Sequence, residues 1–125
     1  MENRELDALV AEKVMGFQLN NKVVDWLAYP IRNGVVDYFE PTIVPHYSTD
    51  IAAAWLVVDH FADTGQEVSV SYIVRSDNHN NLVGSWVCDV GPGNGLRFVL
   101  TVAAESAPLA ICLAALRAAG VEVGE

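Results

Sequence analysis

The chain has 125 residues, of which 52% are hydrophobic and 18% are charged, so its length and apolar content are those of one packed domain and exclude a disordered segment. Its 16 acidic and 7 basic side chains give a formal net charge of −9, and a field of that sign disfavours binding to duplex nucleic acid or to an anionic lipid surface. No run of about 18 apolar residues occurs, so we expect no membrane-spanning helix.

The first predicted element is a helix over residues 3–15, where apolar positions recur at steps of three and four and acidic residues fill the first turn. Residues 17–34 have large apolar side chains without a clean period, and the Asn33-Gly34 pair marks a turn. The pattern of residues 35–39 then predicts a short strand.

The second predicted helix begins within residues 46–55. Ser48 or Thr49 can cap its free backbone N–H groups, and the Thr64-Gly65 pair ends it. Steps of three and four along this helix predict one buried stripe, formed by Ile51, Ala54, Trp55, Val58, Phe61 and Ala62.

Three strands follow, because apolar and polar residues alternate over residues 68–74, 82–90 and 96–104. Polar residues 76–81 form the first connection, and the glycine-rich residues 91–95 form the second. Glycine-rich loops that hold phosphate join a strand to a helix, whereas this one joins two strands, so a hairpin turn is expected. Short connections of this kind predict an antiparallel meander.

The last predicted element is a helix that Ser106 caps, with Pro108 in its first turn and Gly120 after its end. The order is therefore α-β-α-β-β-β-α over a single domain, residues 1–125. Because the strands carry apolar residues on both faces, we expect an α+β fold of three layers, with helices on both sides of an antiparallel sheet of about four strands.

The charged N-terminal residues 1–5 lack the apolar segment of a signal peptide. Cys88 and Cys112 lie inside apolar segments and form no closely spaced motif, so we expect two buried free thiols. Both features fit the cytoplasm of a bacterial host cell.

Three stretches together resemble the phage ABA-sandwich domain family, which consists of small proteins of bacterial viruses and prophages. They are ELDALVAEKVMGF, HYSTDIAAAWLVVDHF and ESAPLAICLAALRAAG, and the resemblance spans nearly the whole chain. It implies helix, sheet and helix layers. The family carries no settled catalytic motif, so the resemblance supplies no catalytic residue.

Two histidine–aspartate pairs, His46 with Asp50 and His60 with Asp63, supply fewer ligands than a metal site needs, and we expect no metal. Cys88 alternates with apolar neighbours along a strand, which is typical of a small buried hydrophobe and not of a nucleophile. We therefore expect no cofactor and no catalytic residue.

The best candidate for a ligand site is the start of the second helix. Free N–H groups and two hydroxyls there can hold a phosphate or a carboxylate, although plain capping is the alternative. Arginine forks and an aromatic face would suit a nucleotide-like ligand. The candidate ligand-binding residues are Trp26, Arg32, His46, Tyr47, Ser48, Thr49, Arg75 and Arg97.

The leading hypothesis from the sequence is a non-enzymatic phage or prophage protein that binds a small nucleotide-derived ligand. It would sequester an immune signal such as a cyclic ADP-ribose isomer or a cyclic oligonucleotide, and so evade host defence. The alternative is a protein–protein interaction module that binds a host protein, and a hydrolase or cyclase has no motif in its favour. The alanine-rich helices also predict a homo-oligomer.

Overall fold

The structure is a computed structural model that describes residues 3–20, 27–39, 41–92 and 100–121. The candidate residues Trp26 and Arg97 lie outside the described residues, as does the first part of the predicted strand over residues 96–104.

The described residues form an α+β fold, as the sequence predicts. None of their helices combines the length and the apolar content needed to span a membrane. The elements are, in chain order, α1 (Asn3–Leu9) continued by a π-helical turn (Val10–Val14), β1 (Gln18–Asn20), β2 (Leu27–Tyr29), β3 (Ile31–Arg32), β4 (Val35–Val36), β5 (Thr42–Ile43), α2 (Ile51–Asp63), β6 (Glu67–Ser76), β7 (Leu82–Gly91), β8 (Leu100–Ala104) and α3 (Ala107–Ala118).

The predicted meander is confirmed, because β6, β7 and β8 form one antiparallel sheet in that order. In its register, Val70 lies opposite Cys88, and Cys88 lies opposite Val102. The β6–β7 turn is closed by the Asp77 carboxylate, which accepts hydrogen bonds from the backbone N–H groups of His79 and Asn81. The short polar connection over residues 76–81 therefore produces local pairing, as expected. Residues 93–95 of the second predicted connection lie outside the described residues.

The helix α3 lies at the centre of the molecule and packs against the sheet, α2 and the π-helical turn. Ser106 is its N-cap and accepts a hydrogen bond from the Leu109 N–H, while Gly120 follows its end with a φ of +84°. Both signals were predicted. Its buried residues surround the helix instead of following one stripe: Ala107, Ala110, Ile111, Cys112, Leu113, Ala114, Ala115 and Leu116.

The predicted cap and buried face of α2 are wrong in part. Asp50 is the N-cap, and its carboxylate accepts a hydrogen bond from the Ala52 N–H at 3.1 Å. Of the predicted stripe, Ala54 and Phe61 are buried and Val58 is partly buried, but Ile51, Trp55 and Ala62 are exposed. Ala53 and Val57 complete the buried face. Small alanine side chains allow α2 to approach α3 closely, and this packing turns the larger residues outward.

The remaining strands differ from the prediction of a single sheet. The predicted strand over residues 35–39 is only Val35–Val36, and it pairs with β3 through a turn in which Asn33 and Gly34 have φ values of +54° and +79°. Turns with positive φ at both central positions join neighbouring strands, so β4 pairs locally and not with the meander. β1, β2 and β5 form a third sheet, in a region whose first part was expected to be irregular.

The two faces of the meander have different surroundings. Side chains at even positions, such as Cys88 and Val102, join the core beneath α3. Side chains at odd positions line an open hollow of about 350 Å³ formed by strand residues alone. The helices α1 and α2 pack on α3. The arrangement of three layers, with helices on both sides of the sheet, stays a prediction.

Candidate functional site

A buried carboxylate lies at the predicted ligand site. Asp7 of α1 has no exposed surface, and its Oδ1 accepts a hydrogen bond from the Ser48 backbone N–H at 2.7 Å. The Ser48 hydroxyl donates to the Asn3 carbonyl oxygen at 3.1 Å. Both donors of Ser48 that were expected to hold an anion are therefore satisfied inside the protein.

Arg4 completes this buried network. Its guanidinium donates to Asp7 Oδ2 at 2.9 Å, to the Val44 carbonyl at 2.9 Å and to the Pro45 carbonyl at 3.3 Å. The exposed His46 ring has its Nδ1 4.0 Å from Asp7 Oδ2. The network ties the loop before α2 to the first helix, and the Asp7 carboxylate already occupies the Ser48 N–H group that an anion would use.

Tyr47, a candidate ligand contact, belongs to the core and is 1% exposed. Loss of solvent on burial raises the pKa of its hydroxyl to about 12, with smaller contributions from the nearby Cys112 and Asp7. The side chain therefore stays neutral in the folded protein at ordinary pH and contributes mainly to packing.

The remaining described candidates lie on separate elements. Thr49 is exposed in the turn before α2, and Arg32 on β3 has a guanidinium nitrogen 3.9 Å from an Asp37 carboxylate oxygen. Arg75 lines the hollow on the outer face of the meander, whereas Tyr47 and Ser48 are buried on the α3 side. Of the predicted residues that the structure describes, only those at 46–49 are thus brought together.

A different site is formed where α2, the meander and the start of α3 meet. It is an open groove of about 520 Å³, which we call the tryptophan groove. Trp55, placed in the core by the sequence, is 49% exposed on its edge. The groove is lined by Ile51, Trp55, Val70, Trp86, Ser106, Ala107 and Pro108.

The apolar surface continues beyond the groove along the β6–β7 hairpin. β6 and β7 have ten residues each, whereas β8 ends at Ala104 opposite Trp86, so its described residues pair with the second half of β7. Tyr72, Val74 and Leu82 lie on the α3 side of the sheet but are more than half exposed. The alternation along the strands predicts that these residues face the α3 side of the sheet. It does not predict that they are left exposed on that side.

Tyr72 and Trp86 form a ring pair in this surface, with centroids 5.1 Å apart and planes tilted by 57°. They lie directly opposite each other on β6 and β7. A Cβ atom at Gly84 would overlap the Oη and Cζ atoms of Tyr72, so the ring lies over the glycine. Because Gly84 has no side chain, the Tyr72 ring can lie over it, and this determines the position of the ring pair.

The two thiols are buried and free, as predicted. Burial, and to a lesser extent the nearby Asp89, raises the pKa of Cys88 to about 12, and burial also raises the pKa of Cys112. A thiol that keeps its proton is a poor nucleophile and a poor metal ligand. In the part of the chain that the structure describes, no three His, Cys, Asp or Glu side chains are grouped as a metal ion would need.

These features define a small α+β domain with a helical core against one face of an antiparallel meander and an aromatic groove at its edge. Residues 8–116 match the Phage ABA sandwich domain, and the chain therefore belongs to this family of phage-associated proteins. The match includes all of the 46–61 stretch and most of the other two on which the resemblance rests. No curated protein and no solved structure matches the chain.

Proposed function

We propose that this protein is a non-enzymatic phage accessory protein that acts by binding another protein through the tryptophan groove. The observation that carries the proposal is the exposure of Trp55 beside Ile51 and Trp86 in one open apolar groove. Tryptophan and tyrosine are enriched among the residues that contribute most to protein–protein binding. An exposed apolar surface that continues onto a neighbouring hairpin is typical of an interaction site.

The chemistry of the lining favours a protein over a nucleotide. Sites for small polar ligands place several polar groups around a concave pocket, but among the lining residues that the structure describes Ser106 is the one polar residue. A phosphate would need an arginine or lysine fork, and none of the described residues that line the groove is basic. The nucleotide-binding hypothesis therefore has less support than the alternative of a host-protein partner.

For a phage protein, the proposed partner is a host protein whose activity is altered by stoichiometric binding. Sequestration of this kind needs a complementary surface and no catalytic group, which fits the protonated thiols and the apolar groove. An anti-defence role would follow if the partner belongs to a host immune pathway.

The proposal is tested with tagged wild-type protein and with Trp55→Glu, using Val35→Glu as a matched control, because Val35 is an exposed apolar residue of another sheet. Cross-linking and mass spectrometry in infected host cells should identify a partner that wild type and Val35→Glu retain and that Trp55→Glu loses. A partner that Trp55→Glu retains would contradict the proposal.

A second arm tests the nucleotide hypothesis directly. Wild-type protein is heated with cyclic ADP-ribose isomers and cyclic oligonucleotides at saturating concentration. A ligand at a hundredfold excess over its Kd stabilises the folded state by about 2.7 kcal/mol, which a melting experiment detects easily. We expect no such shift, and a nucleotide-dependent shift without a Trp55-dependent protein partner would favour the nucleotide hypothesis instead.

A further inference from the structure

Three carboxylate residues, which we call the acidic border, are next to groove residues in the chain or one helical turn from one of them. Asp50 immediately precedes Ile51, and Asp59 follows Trp55 by one helical turn, so it projects from the same side of α2. Glu105 immediately precedes the groove residue Ser106. All three carboxylate residues are exposed. Within the described ranges, the groove thus has an apolar floor, an acidic border and no basic residue in its lining.

From this arrangement we propose that the occupant of the groove is a basic amphipathic segment of the partner protein. Its apolar side chains would pack on Trp55 and Trp86, and its lysine or arginine side chains would lie near Asp59 and Glu105. This inference rests on the proposed function and specifies the chemistry of the partner. Opposite charges around an apolar contact give specificity and a fast association rate, and both fall as salt screens the charges.

A second copy of the chain is a less favourable occupant on grounds of charge. Each copy carries a formal net charge of −9, so self-association through this groove would bring two acidic borders together. A basic segment would instead be attracted to the carboxylates of the same border. The homo-oligomer expected from the alanine-rich helices stays a prediction, and the experiment below tests whether it uses this groove.

The size of the surface also suits a short segment. Five large apolar side chains in the groove and on the α3 side of the hairpin are about half exposed or more, namely Ile51, Trp55, Tyr72, Val74 and Leu82. At roughly 100 Å² each, they present on the order of 500 Å² of apolar surface. A stable protein–protein interface covers about 800 Å² on each partner. The apolar floor therefore supplies most of the area needed on this protein, and the acidic border supplies the rest.

The test uses two synthetic amphipathic peptides with the same apolar face, one with lysine and the other with glutamate at every polar position. Binding to the full chain is measured by calorimetry and by tryptophan fluorescence. We expect the lysine peptide to bind and the glutamate peptide not to bind. Raising the salt concentration should weaken the lysine peptide about tenfold or more, because exposed charges are screened.

Matched charge variants distinguish an effect of the acidic border on peptide binding from an effect of the net charge of the protein. Asp59→Asn combined with Glu105→Gln should raise the Kd of the lysine peptide about tenfold, whereas Glu5→Gln combined with Glu12→Gln on the first helix changes the net charge equally and should leave the Kd nearly unchanged. Equal loss in both double variants would overturn the inference.

Two further outcomes distinguish this inference from the proposed function. If both peptides bind equally, or neither binds while the cellular partner still depends on Trp55, the acidic border is not the determinant and only the inference fails. If light scattering shows a dimer that Trp55→Glu converts to a monomer, a second copy occupies the groove, and both the inference and the proposed function are wrong.

Discussion

The Asp7 carboxylate accepts a hydrogen bond from the Ser48 backbone N–H at 2.7 Å, and this bond joins two buried groups that are 41 residues apart in the chain. With the guanidinium of Arg4 on its other oxygen, Asp7 fixes the loop before α2 against α1. The Ser48 N–H group before α2 is thus already bonded to a carboxylate of this protein.

The first prediction concerns this bond. Asp7→Ala should lower the free energy of unfolding by about 2–3 kcal/mol, because it leaves a buried N–H group without a partner and removes a hydrogen bond to a charged group. Asp7→Asn should cost less, since its amide oxygen can still accept from Ser48. Urea denaturation measures both, with the exposed Glu5→Ala expected within about 0.5 kcal/mol of wild type. A loss for Asp7→Ala as small as that for Glu5→Ala would show that the bond contributes little.

The Asp7 network shows what the sequence could not reveal. The helical period of residues 3–15 places Asp7 off the apolar stripe, where an acidic residue is usually solvated. Its burial depends on a loop that lies 41 residues further along the chain, and no local pattern encodes that contact. The meander and α3 were predictable for the opposite reason, because alternation, short turns and the Ser106 cap are local signals.

The α2 helix lies between these two cases. Its length and its end follow from the period and from Thr64-Gly65, but its buried face depends on which neighbour it meets. The sequence favours the side with Trp55 as the buried one, because large apolar residues usually lie inside. The structure buries Ala53 and Val57 beside the predicted Ala54 and leaves Trp55 half exposed, so Trp55 becomes the leading residue of the candidate site.

The second prediction separates the two faces of α2. Trp55→Ala should cost only about 1 kcal/mol of stability or less, since half of the side chain is already in water, while Phe61→Ala on the buried face should cost about 3–5 kcal/mol. Thermal or urea unfolding of the two variants provides the comparison. Equal losses would mean that Trp55 is a core residue after all.

The third prediction concerns the ring that lies over Gly84. Gly84→Ala should push Tyr72 away from Trp86 and weaken the near-ultraviolet circular dichroism of the ring pair, because the new Cβ would overlap the tyrosine. The cost in stability should be about 1 kcal/mol, since the tyrosine is 54% exposed and can move into solvent.

The control for Gly84 is a double-mutant cycle with Tyr72→Ala. Without the ring there is nothing to displace, so adding Gly84→Ala to Tyr72→Ala should change neither the spectrum nor the stability much. If Gly84→Ala has the same effect with and without Tyr72, the glycine acts through the strand backbone and not through the ring.

The fourth prediction is a loss of stability at high pH. The pKa of Cys88 is raised from 9.0 to about 12, and the pKa of Tyr47 is raised from 10.0 to about 12, mainly because burial disfavours the charged forms. At a pH between the ordinary and the raised pKa of each group, the unfolded chain has lost a proton that the folded protein keeps. The free energy of unfolding is therefore unaffected below about pH 8 and falls as the pH rises above about 9.

Each of the two groups can contribute a slope of up to about 1.4 kcal/mol per pH unit. Urea midpoints measured from about pH 8 to about pH 11 should therefore decrease steadily, and the folded state should be lost before the buried groups themselves titrate. Cys88→Ala removes one of these groups, so its stability should fall less steeply over the same window even if it starts lower. A midpoint that stays constant across this range would show that the two groups are not shielded from water in the folded protein.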